Sequence, residues 1–430
     1  MKTYTSLFFL FFFSSIQLLA QSDFRYIDNT YVDNIRSVRF GPEGFQERFP
    51  LLTLNESGQL LLSFDDVDAE VKNYVYTVIH CDRNWQPSGL APLEYIDGFE
   101  EEDINFYEFS FMTTQTFTYY EFLFPNQNIN VTKSGNYLLV VYEDEDDKIP
   151  VITRRFVVVD RSVSTDISIV RPATVSKIHS HQEIDFTVDY QRLGVMNPRL
   201  ELRATVLQNS RWDNAIYDLE PKFVRRDQAI FDYQDKIIFE GSNEFRFIDL
   251  RSLTAPQSDI TDIGLTLDEQ GVVAEMAPII SRANQAHLTY PDLNGSYIIE
   301  NFDRRDEVLN SDYVNLLITY KPIEPHLQDH VFLFGEISEW QIKEAYRMRY
   351  NPAISAYVGR FAFKQGYYNY LLATVPSDSS PKEVPVPDFS KTEGSHADTE
   401  NEYLVLTYYH PFGTRYDQVV GAAIINSNLR

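Results

Sequence analysis

Two histidines in the last third of the chain have the spacing of a zinc-binding pair. His326 and His330 are four residues apart, and such a pair binds zinc when a helix places both imidazoles on one face. Here Pro325 precedes the pair, and an apolar run at 331–335 follows it directly. That context predicts a turn between two strands, in which residues four apart do not converge. We therefore expect no metal site at these histidines.

Three runs of carboxylates in the sequence are candidates for calcium binding. The runs are residues 65–68, 100–103 and 143–147. A calcium loop needs oxygen ligands at fixed offsets and a glycine at its sharp turn, and none of the runs has that pattern. The segment 292–296 begins like such a loop, but its Asn294-Gly295 dipeptide is typical of a hairpin turn. We expect solvated loops at the three runs and a tight turn at Asn294.

The common signatures of nucleotide binding and nucleophilic hydrolysis are absent from the sequence. It has no GxxxxGK[ST] loop, no GxGxxG fingerprint and no GxSxG elbow. A hydrolase acting on envelope polymers would need a buried pair of carboxylates in one cleft, and nothing singles out such a pair among the 63 Asp and Glu residues. We therefore predict a non-enzymatic protein with no catalytic residues, no cofactor and no bound metal.

Aromatic residues crowd the last third of the chain and suggest sugar binding. Flat aromatic faces stack on sugar rings, and residues 331–340 followed by 366–370 resemble the glycogen-binding type of β-sandwich module. The candidate platform consists of Trp340, Tyr346, Tyr350, Tyr357, Tyr367, Tyr368 and Tyr370. These side chains could equally be core residues and cross-strand pairs of a sheet. A carbohydrate-binding β-sandwich protein of the periplasm or cell surface is therefore the alternative function.

Charge and cysteine content exclude several classes of partner and site. The 430 residues include 37 Lys and Arg against 63 Asp and Glu, a formal net charge of −26. Nucleic acid needs a basic face, and an anionic membrane surface is disfavoured for the same reason. The single cysteine, Cys81, excludes an intramolecular disulfide framework and a thiolate zinc cluster. We expect Cys81 to be a buried core residue near Trp85.

The first twenty residues have the layout of a secretory signal peptide. Lys2 precedes an apolar run at 7–13, and the small residue Ala20 stands before Gln21. Ser14 and other polar residues interrupt the run well before the roughly 20 apolar residues that a membrane-spanning helix needs. We therefore expect export of the chain from residue 21 onward, with no membrane insertion of its own.

Short strand-like runs separated by turn residues dominate the remainder of the chain. In the first third they are 59–64, 74–79, 107–111, 119–124, 136–142 and 151–159. Three tryptophans, Trp85, Trp212 and Trp340, each follow an apolar strand and a polar turn. The strand-like runs and this threefold repeat predict an all-β protein of tandem immunoglobulin-like or E-set-like β-sandwich domains, each anchored by one tryptophan.

The domain boundaries follow from the breaks in this pattern. After the signal peptide at 1–20 we expect an N-terminal sandwich at 21–160, a middle sandwich at 161–275 and a C-terminal sandwich at 276–430. A Pro/Ser-rich segment at 376–401 has few large apolar residues and is expected to be a mobile loop outside the core. The run 403–409 is expected to return to the sheet of the C-terminal domain.

Short segments spread over nearly the whole chain carry a family resemblance, which is most specific at IHCDRNWQPS, residues 79–88. The other segments are 61–68, 74–78, 94–99, 133–137, 153–156, 206–216, 292–297 and 411–417. On these segments the chain resembles the plug protein family of the type IX secretion system. The segment 376–401 matches least well.

The resemblance implies a role in secretion that involves no catalysed reaction. Plug proteins of this family are periplasmic, β-rich and non-enzymatic, and they close the periplasmic opening of a large outer-membrane translocon barrel when no cargo is in transit. The implied partner is that barrel, and the implied location is the inner face of the outer membrane. No contact residues can be transferred from the family. The excess of acidic residues leads us to expect electrostatic steering of docking.

Overall fold

The structure is a computed structural model that describes residues 24–144, 148–256, 259–266, 271–304, 308–379 and 384–429. The expected signal peptide at 1–20 lies outside the described residues, as do parts of the acidic run 143–147 and of the loop 376–401. The described chain is nearly all β, which confirms the predicted fold class. Its short helical segments are α1 (Pro198–Glu201) and the 3-10 turns Pro92–Glu94, Val175–Lys177, Glu336–Ser338, Glu344–Tyr346 and Ser427–Leu429.

The first unit comprises β1–β12 and is a sandwich of two sheets, with β6 and β10 forming a further two-stranded sheet. One sheet has the order β1-β12-β11-β5-β7, with β3 parallel to β12, and the other has the order β2-β4-β9-β8. The strands are β1 (Asn29–Thr30), β2 (Ile35–Pro42), β3 (Leu51–Thr53), β4 (Leu60–Asp66), β5 (Tyr74–Cys81), β6 (Ile96–Gly98), β7 (Glu102–Asp103), β8 (Phe106–Phe109), β9 (Thr118–Phe124), β10 (Ile129–Val131), β11 (Gly135–Glu143) and β12 (Pro150–Val159). All six strand predictions for this part of the chain are confirmed, with ends shifted by at most two residues.

The second unit is another two-sheet sandwich, formed by β13–β19 together with the last two strands of the chain. Its sheets have the orders β13-β14-β18-β17, with β19 beside β14, and β16-β15-β30-β31. The strands are β13 (Ser164–Val170), β14 (His181–Asp189), β15 (Leu202–Gln208), β16 (Ile216–Leu219), β17 (Phe223–Arg225), β18 (Gln228–Phe231), β19 (Ile238–Glu240), β30 (Glu402–Tyr409) and β31 (Gln418–Asn426).

The third unit is a bent sheet of ten strands folded around one core. Its order is β20-β29-β26-β27-β28-β25-β22-β21, with β23 beside β25 and β24 beside β29. The strands are β20 (Arg246–Asp249), β21 (Ile260–Thr266), β22 (Gly271–Met276), β23 (Ile279–Ile280), β24 (Tyr297–Ile299), β25 (Tyr313–Lys321), β26 (Asp329–Phe334), β27 (Arg347–Asn351), β28 (Ala356–Lys364) and β29 (Gly366–Pro376). The corner is β27, which pairs with β26 at Met348 and with β28 at Arg349.

Strand pairing departs from the predicted domains 161–275 and 276–430 in two places. The run 403–409, expected in the sheet of the last domain, forms β30 and pairs along its whole length with β15, from Leu202↔Tyr409 to Gln208↔Tyr403. Conversely β20–β22, expected in the middle domain, belong to the sheet of the third unit. The physical reason is burial: β15 and β30 are both almost wholly buried, so each needs the other to satisfy its backbone groups. The third unit is thus inserted between two strands of the second.

The first and second units share an additional hydrophobic layer. On β11, Leu139 and Val141 face the core of the first unit, whereas Leu138 and Val140 pack against the second unit. The strand β30 contributes Leu404 and other alternate residues to the same layer. Strands buried on both faces, such as β11 and β30, give continuous apolar runs. Because the two units share this layer, their four sheets are stacked one on the next.

The tryptophans lie in the joints between units. Trp85 and Trp212 contact each other edge to face, with ring centroids 4.8 Å apart, inside the layer shared by the first two units. The prediction of one anchoring tryptophan per sandwich is therefore wrong, because these two rings pair across a boundary. Cys81 is fully buried in the same cluster as Trp85, as predicted, and burial raises the pKa of its thiol to about 12.

Candidate functional site at the junction of the three units

A cavity of about 1150 Å³ lies where the three units meet. Its walls include Arg36 and Phe49 of the first unit, Trp212 and Glu402 of the second, and Tyr346 of the third. No single sheet forms it, so its shape depends on how the units are held together. Besides the hydrophobic layer between the first two units, ion pairs and hydrogen bonds between side chains distant in sequence hold the units together.

Glu339 joins the third unit to the first. Its Oε1 lies 2.7 Å from the Arg154 guanidinium and accepts a 2.6 Å hydrogen bond from the hydroxyl of Thr30. Lys343 forms a further ion pair with this carboxylate. Burial alone would raise the pKa of Glu339, but Arg154 and Lys343 lower it to about 2. The carboxylate therefore stays charged, and the joint stays paired, across the ordinary pH range.

A second joint between the same units is more deeply buried. Lys364 Nζ lies 2.8 Å from Asp65 Oδ2, and the two side chains are 2% and 1% exposed. The hydroxyl of Tyr313 donates to the same Asp65 oxygen at 2.7 Å. The Lys364 ammonium also lies 4.0 Å from the centroid of the Phe117 ring. Water is excluded from this pair, and burial raises the pKa of Asp65 although Lys364 and Tyr313 oppose the shift, so the charged form of Asp65 depends on Lys364.

Arginines also join the first unit to the second. The Arg83 guanidinium reaches Asp218 at 2.8 Å and Asp417 at 3.1 Å. The Arg155 guanidinium lies 5.3 Å from the Trp85 ring and 5.2 Å from the Trp212 ring, so one cation serves two aromatic partners in the shared layer. These polar contacts fix the relative position of two sheets that apolar packing alone would leave free to slide.

The segment 384–401 joins the second unit to the third, contrary to its predicted place outside the core. It has no named strand, but Phe389, Thr392 and Glu393 are buried. The Glu393 carboxylate is 0% exposed and binds the guanidinium groups of Arg246 at 2.9 Å and Arg282 at 2.7 Å. Burial raises the pKa of Glu393, but the two arginines outweigh burial and the net shift is downward. On the side of the second unit, the Gln182 side-chain amide donates to Ala397 O at 2.8 Å. The expectation of a mobile loop is wrong for these residues because partners distant in sequence hold them in place.

A second group of carboxylates near this crossing holds protons unusually tightly. Glu244 is fully buried and lies 3.2 Å from His287 Nε2. Burial, together with the charges of Asp292 and Glu400, raises the pKa of Glu244 to about 7, although Arg282 opposes the shift. Burial likewise raises the pKa of Asp292 to about 6. Both carboxyls are therefore partly protonated near neutral pH.

Glu244→Gln is expected to gain stability relative to the wild type as pH rises. Between the usual pKa of 4.5 and the folded-state value of about 7, folded Glu244 keeps a proton that the unfolded chain releases. The wild type therefore loses stability as pH rises through this window, and glutamine, which cannot ionise, does not. Melting temperatures of both proteins at pH 5 and pH 8 measure the effect. An equal difference in melting temperature at both pH values would contradict this account.

The two candidate histidines have separate partners in the structure. His326 Nε2 lies 3.0 Å from the hydroxyl of Tyr320, and the His326 ring stacks on Tyr357. His330 instead contacts the Arg347 guanidinium at 2.8 Å. Within the described ranges, no group of three or more His, Cys, Asp or Glu side chains is arranged to hold a metal ion. The tight turn at Asn294 is confirmed, with φ values of 52° at Asn294 and 84° at Gly295.

The aromatic residues considered for sugar binding are largely enclosed. The Trp340 ring contacts Phe334 and Phe245 edge to face and lies 4.8 Å from the Arg211 guanidinium. A Cβ atom at Gly295 would approach this ring to 2.2 Å, so the ring fills the space that the glycine leaves. Tyr357, Tyr368 and Tyr370 are 3%, 3% and 0% exposed. Trp340, Tyr346, Tyr350 and Tyr367 are half-buried, and the three tyrosines pack on Phe361, Tyr357 and Phe247.

Comparisons with known proteins found a matching family model and a similar crystal structure. Residues 35–160 match the family model of the type 9 secretion system plug protein 1st domain. A crystal structure of a hypothetical protein from Parabacteroides merdae ATCC 43184 is similar to this chain, with a TM-score of 0.87 and 27% sequence identity. The match covers 94% of this chain and 100% of that one. No curated protein matches significantly. Among the described residues, no helix is both long and apolar enough to cross a membrane.

Proposed function

Residues 35–160 belong to the family of type 9 secretion system plug protein first domains, and from this premise we propose that the protein is a periplasmic plug. In this proposal it closes the periplasmic opening of the type IX outer-membrane translocon barrel when no cargo is in transit. The barrel is its main partner, and its location is the inner face of the outer membrane. The family match is the observation that carries the proposal.

The construction of the molecule supports this role. A plug must keep its shape against a wide opening, and the stacked sheets of the first two units leave no flexible linker between them. The third unit is attached by two chain crossings and by the buried pairs of Glu339 and Asp65 with the Arg154 and Lys364 side chains across the joint. Units joined in this way move as one body, unlike units joined by a single exposed linker. The described residues therefore have the bulk and rigidity that closure requires.

Isolation of the native complex tests the proposal. The full-length chain with a C-terminal affinity tag is expressed from its own promoter, and envelopes are solubilised with a mild detergent. We expect recovery of a large outer-membrane β-barrel protein as the main partner, identified by mass spectrometry. An unrelated tagged periplasmic protein serves as the control. Recovery of the chain without any outer-membrane barrel would contradict the proposal.

A further inference from the structure

The sandwich of the first unit is open along one side. In the four-stranded sheet, β9 lies over β5, because Phe122 stacks on Tyr76 with ring centroids 3.9 Å apart. The edge strand β8 lies beyond β9, where the facing sheet has only the two-residue β7. All four residues of β8 are exposed, including Phe106, Tyr107 and Phe109 at 48%, 42% and 55%. The facing sheet thus ends too early to cover this strand.

Backbone groups on the outer side of β8 point away from β9, the one strand that pairs with β8 among the described residues. The Ser110 N–H donates to Phe117 O at 2.9 Å, and the register of β8 with β9 continues this pairing to Glu108 and Phe106. Because antiparallel pairs alternate, the amide groups of Tyr107 and Phe109 point outward. Phe111, the next residue in this alternation, donates its N–H to Leu309 O at 3.0 Å. At Phe111, where the fold places the backbone of Leu309 beside this edge, the outward amide group is therefore hydrogen-bonded to it.

The side chains beside these amide groups form an apolar strip. The Tyr107 ring contacts the Phe109 ring at 5.9 Å and the Tyr120 ring at 6.0 Å, measured between centroids. Tyr120 is fully buried in the core of the first unit. Tyr107 and Phe109 therefore continue the core outward, and a strand added beside them would bury both.

The surroundings of the strip are strongly acidic. Residues 100–103 are all carboxylates, and Glu108 lies on the face of β8 opposite Tyr107 and Phe109. Lys148 forms an ion pair with Glu101 at 2.7 Å. A second copy of this chain, which has a net charge of −26, would be repelled here, whereas a basic segment would be attracted.

We propose that the open edge of β8 docks an extended segment of the translocon in which apolar side chains alternate with Lys or Arg. The backbone of that segment pairs with the outward amide groups of Tyr107 and Phe109. Its apolar side chains cover the two aromatic rings, and its basic side chains face Glu108 and the neighbouring carboxylates. This inference rests on the proposed function, because it names the surface through which the plug holds its partner.

Two substitutions at Phe109 test the docking edge in the full-length tagged protein. Phe109→Pro removes an N–H that points away from β9, a position where an edge strand tolerates proline. Phe109→Glu places a charge in the apolar strip. Phe223→Glu is the matched control, since Phe223 is 48% exposed on β17, an edge strand of the second unit. Melting temperatures verify that all three variants fold.

We expect both Phe109 variants to recover about tenfold less barrel than the wild type, the loss that about 1.4 kcal/mol of binding produces. The control should recover it normally, and added salt should weaken recovery by the wild type. If wild type and Phe109 variants recover the barrel equally, the docking inference is overturned and the proposed function stands. If the wild type recovers no barrel, the proposed function itself fails. A photo-crosslinker at position 109 that captures a second copy of this chain would also overturn the inference.

Discussion

Replacing Glu393 with alanine is expected to destabilise the protein by about 3–5 kcal/mol. The substitution leaves the guanidinium groups of Arg246 and Arg282 without their shared carboxylate in an environment where Glu393 is 0% exposed. It also removes the acceptor of the Leu372 N–H, which donates to Glu393 Oε1 at 2.8 Å. Buried charges that lose a partner keep their desolvation penalty, so the cost exceeds that of an exposed pair.

Thermal and urea unfolding measure this effect against a matched control. Glu344 also pairs with two arginines, Arg347 and Arg349, but its side chain is 62% exposed. Glu344→Ala should therefore cost less than about 1 kcal/mol. If the two substitutions lower the melting temperature equally, the Glu393 pairs do not hold the segment 384–401 on the third unit.

Replacing Lys364 with methionine is the second change with a large expected effect, again about 3–5 kcal/mol. Methionine fills a similar volume but leaves the Asp65 carboxylate, 1% exposed, with no ammonium group. Asp65→Asn in the same chain removes that stranded charge and still accepts the hydrogen bond from Tyr313. The double variant should therefore be more stable than Lys364→Met alone.

A double-mutant cycle on the melting temperature and the urea midpoint separates pairing from packing. A coupling between positions 65 and 364 is expected, because their charged atoms are 2.8 Å apart. Losses that simply add would show that Asp65 and Lys364 do not depend on each other. In that case this joint would not contribute to holding the first and third units together.

Local patterns in the sequence were sufficient for six of the twelve strands of the first unit but not for the order of the sheets. Alternation and turn residues predicted β4, β5, β8, β9, β11 and β12 closely, whereas β2 and the short strands β1, β3, β6, β7 and β10 were not predicted. The pairing of β30 with β15 joins residues about 200 positions apart, as in Leu207↔Leu404, and no local pattern encodes it. The apolar run at 138–141 did carry a usable signal, since burial on both faces produces such runs.

The sequence analysis did not predict the joints between units, because the composition of a segment says nothing of the distant residues that contact it. Residues 384–401 are rich in polar side chains, and such segments ordinarily lie on loops. Glu393 is buried only because Arg246 and Arg282, more than 100 residues earlier, neutralise it. Asp65 gave a clearer signal, since it directly follows the largely apolar run 60–64, but it was grouped with the exposed acidic runs because Asp66 and Asp68 come next. An acid inside a buried strand implies a partner, although the sequence cannot say which residue supplies it.

We propose that this protein closes a translocon, and the permeability of the outer membrane reports such closure. A strain lacking the gene is compared with the wild type and with a strain complemented by the full chain, using uptake of a large polar antibiotic that the intact outer membrane excludes. We predict increased uptake in the deletion strain, restored to normal by complementation. Unchanged uptake in the deletion strain, with the barrel still present in its outer membrane, would contradict the account.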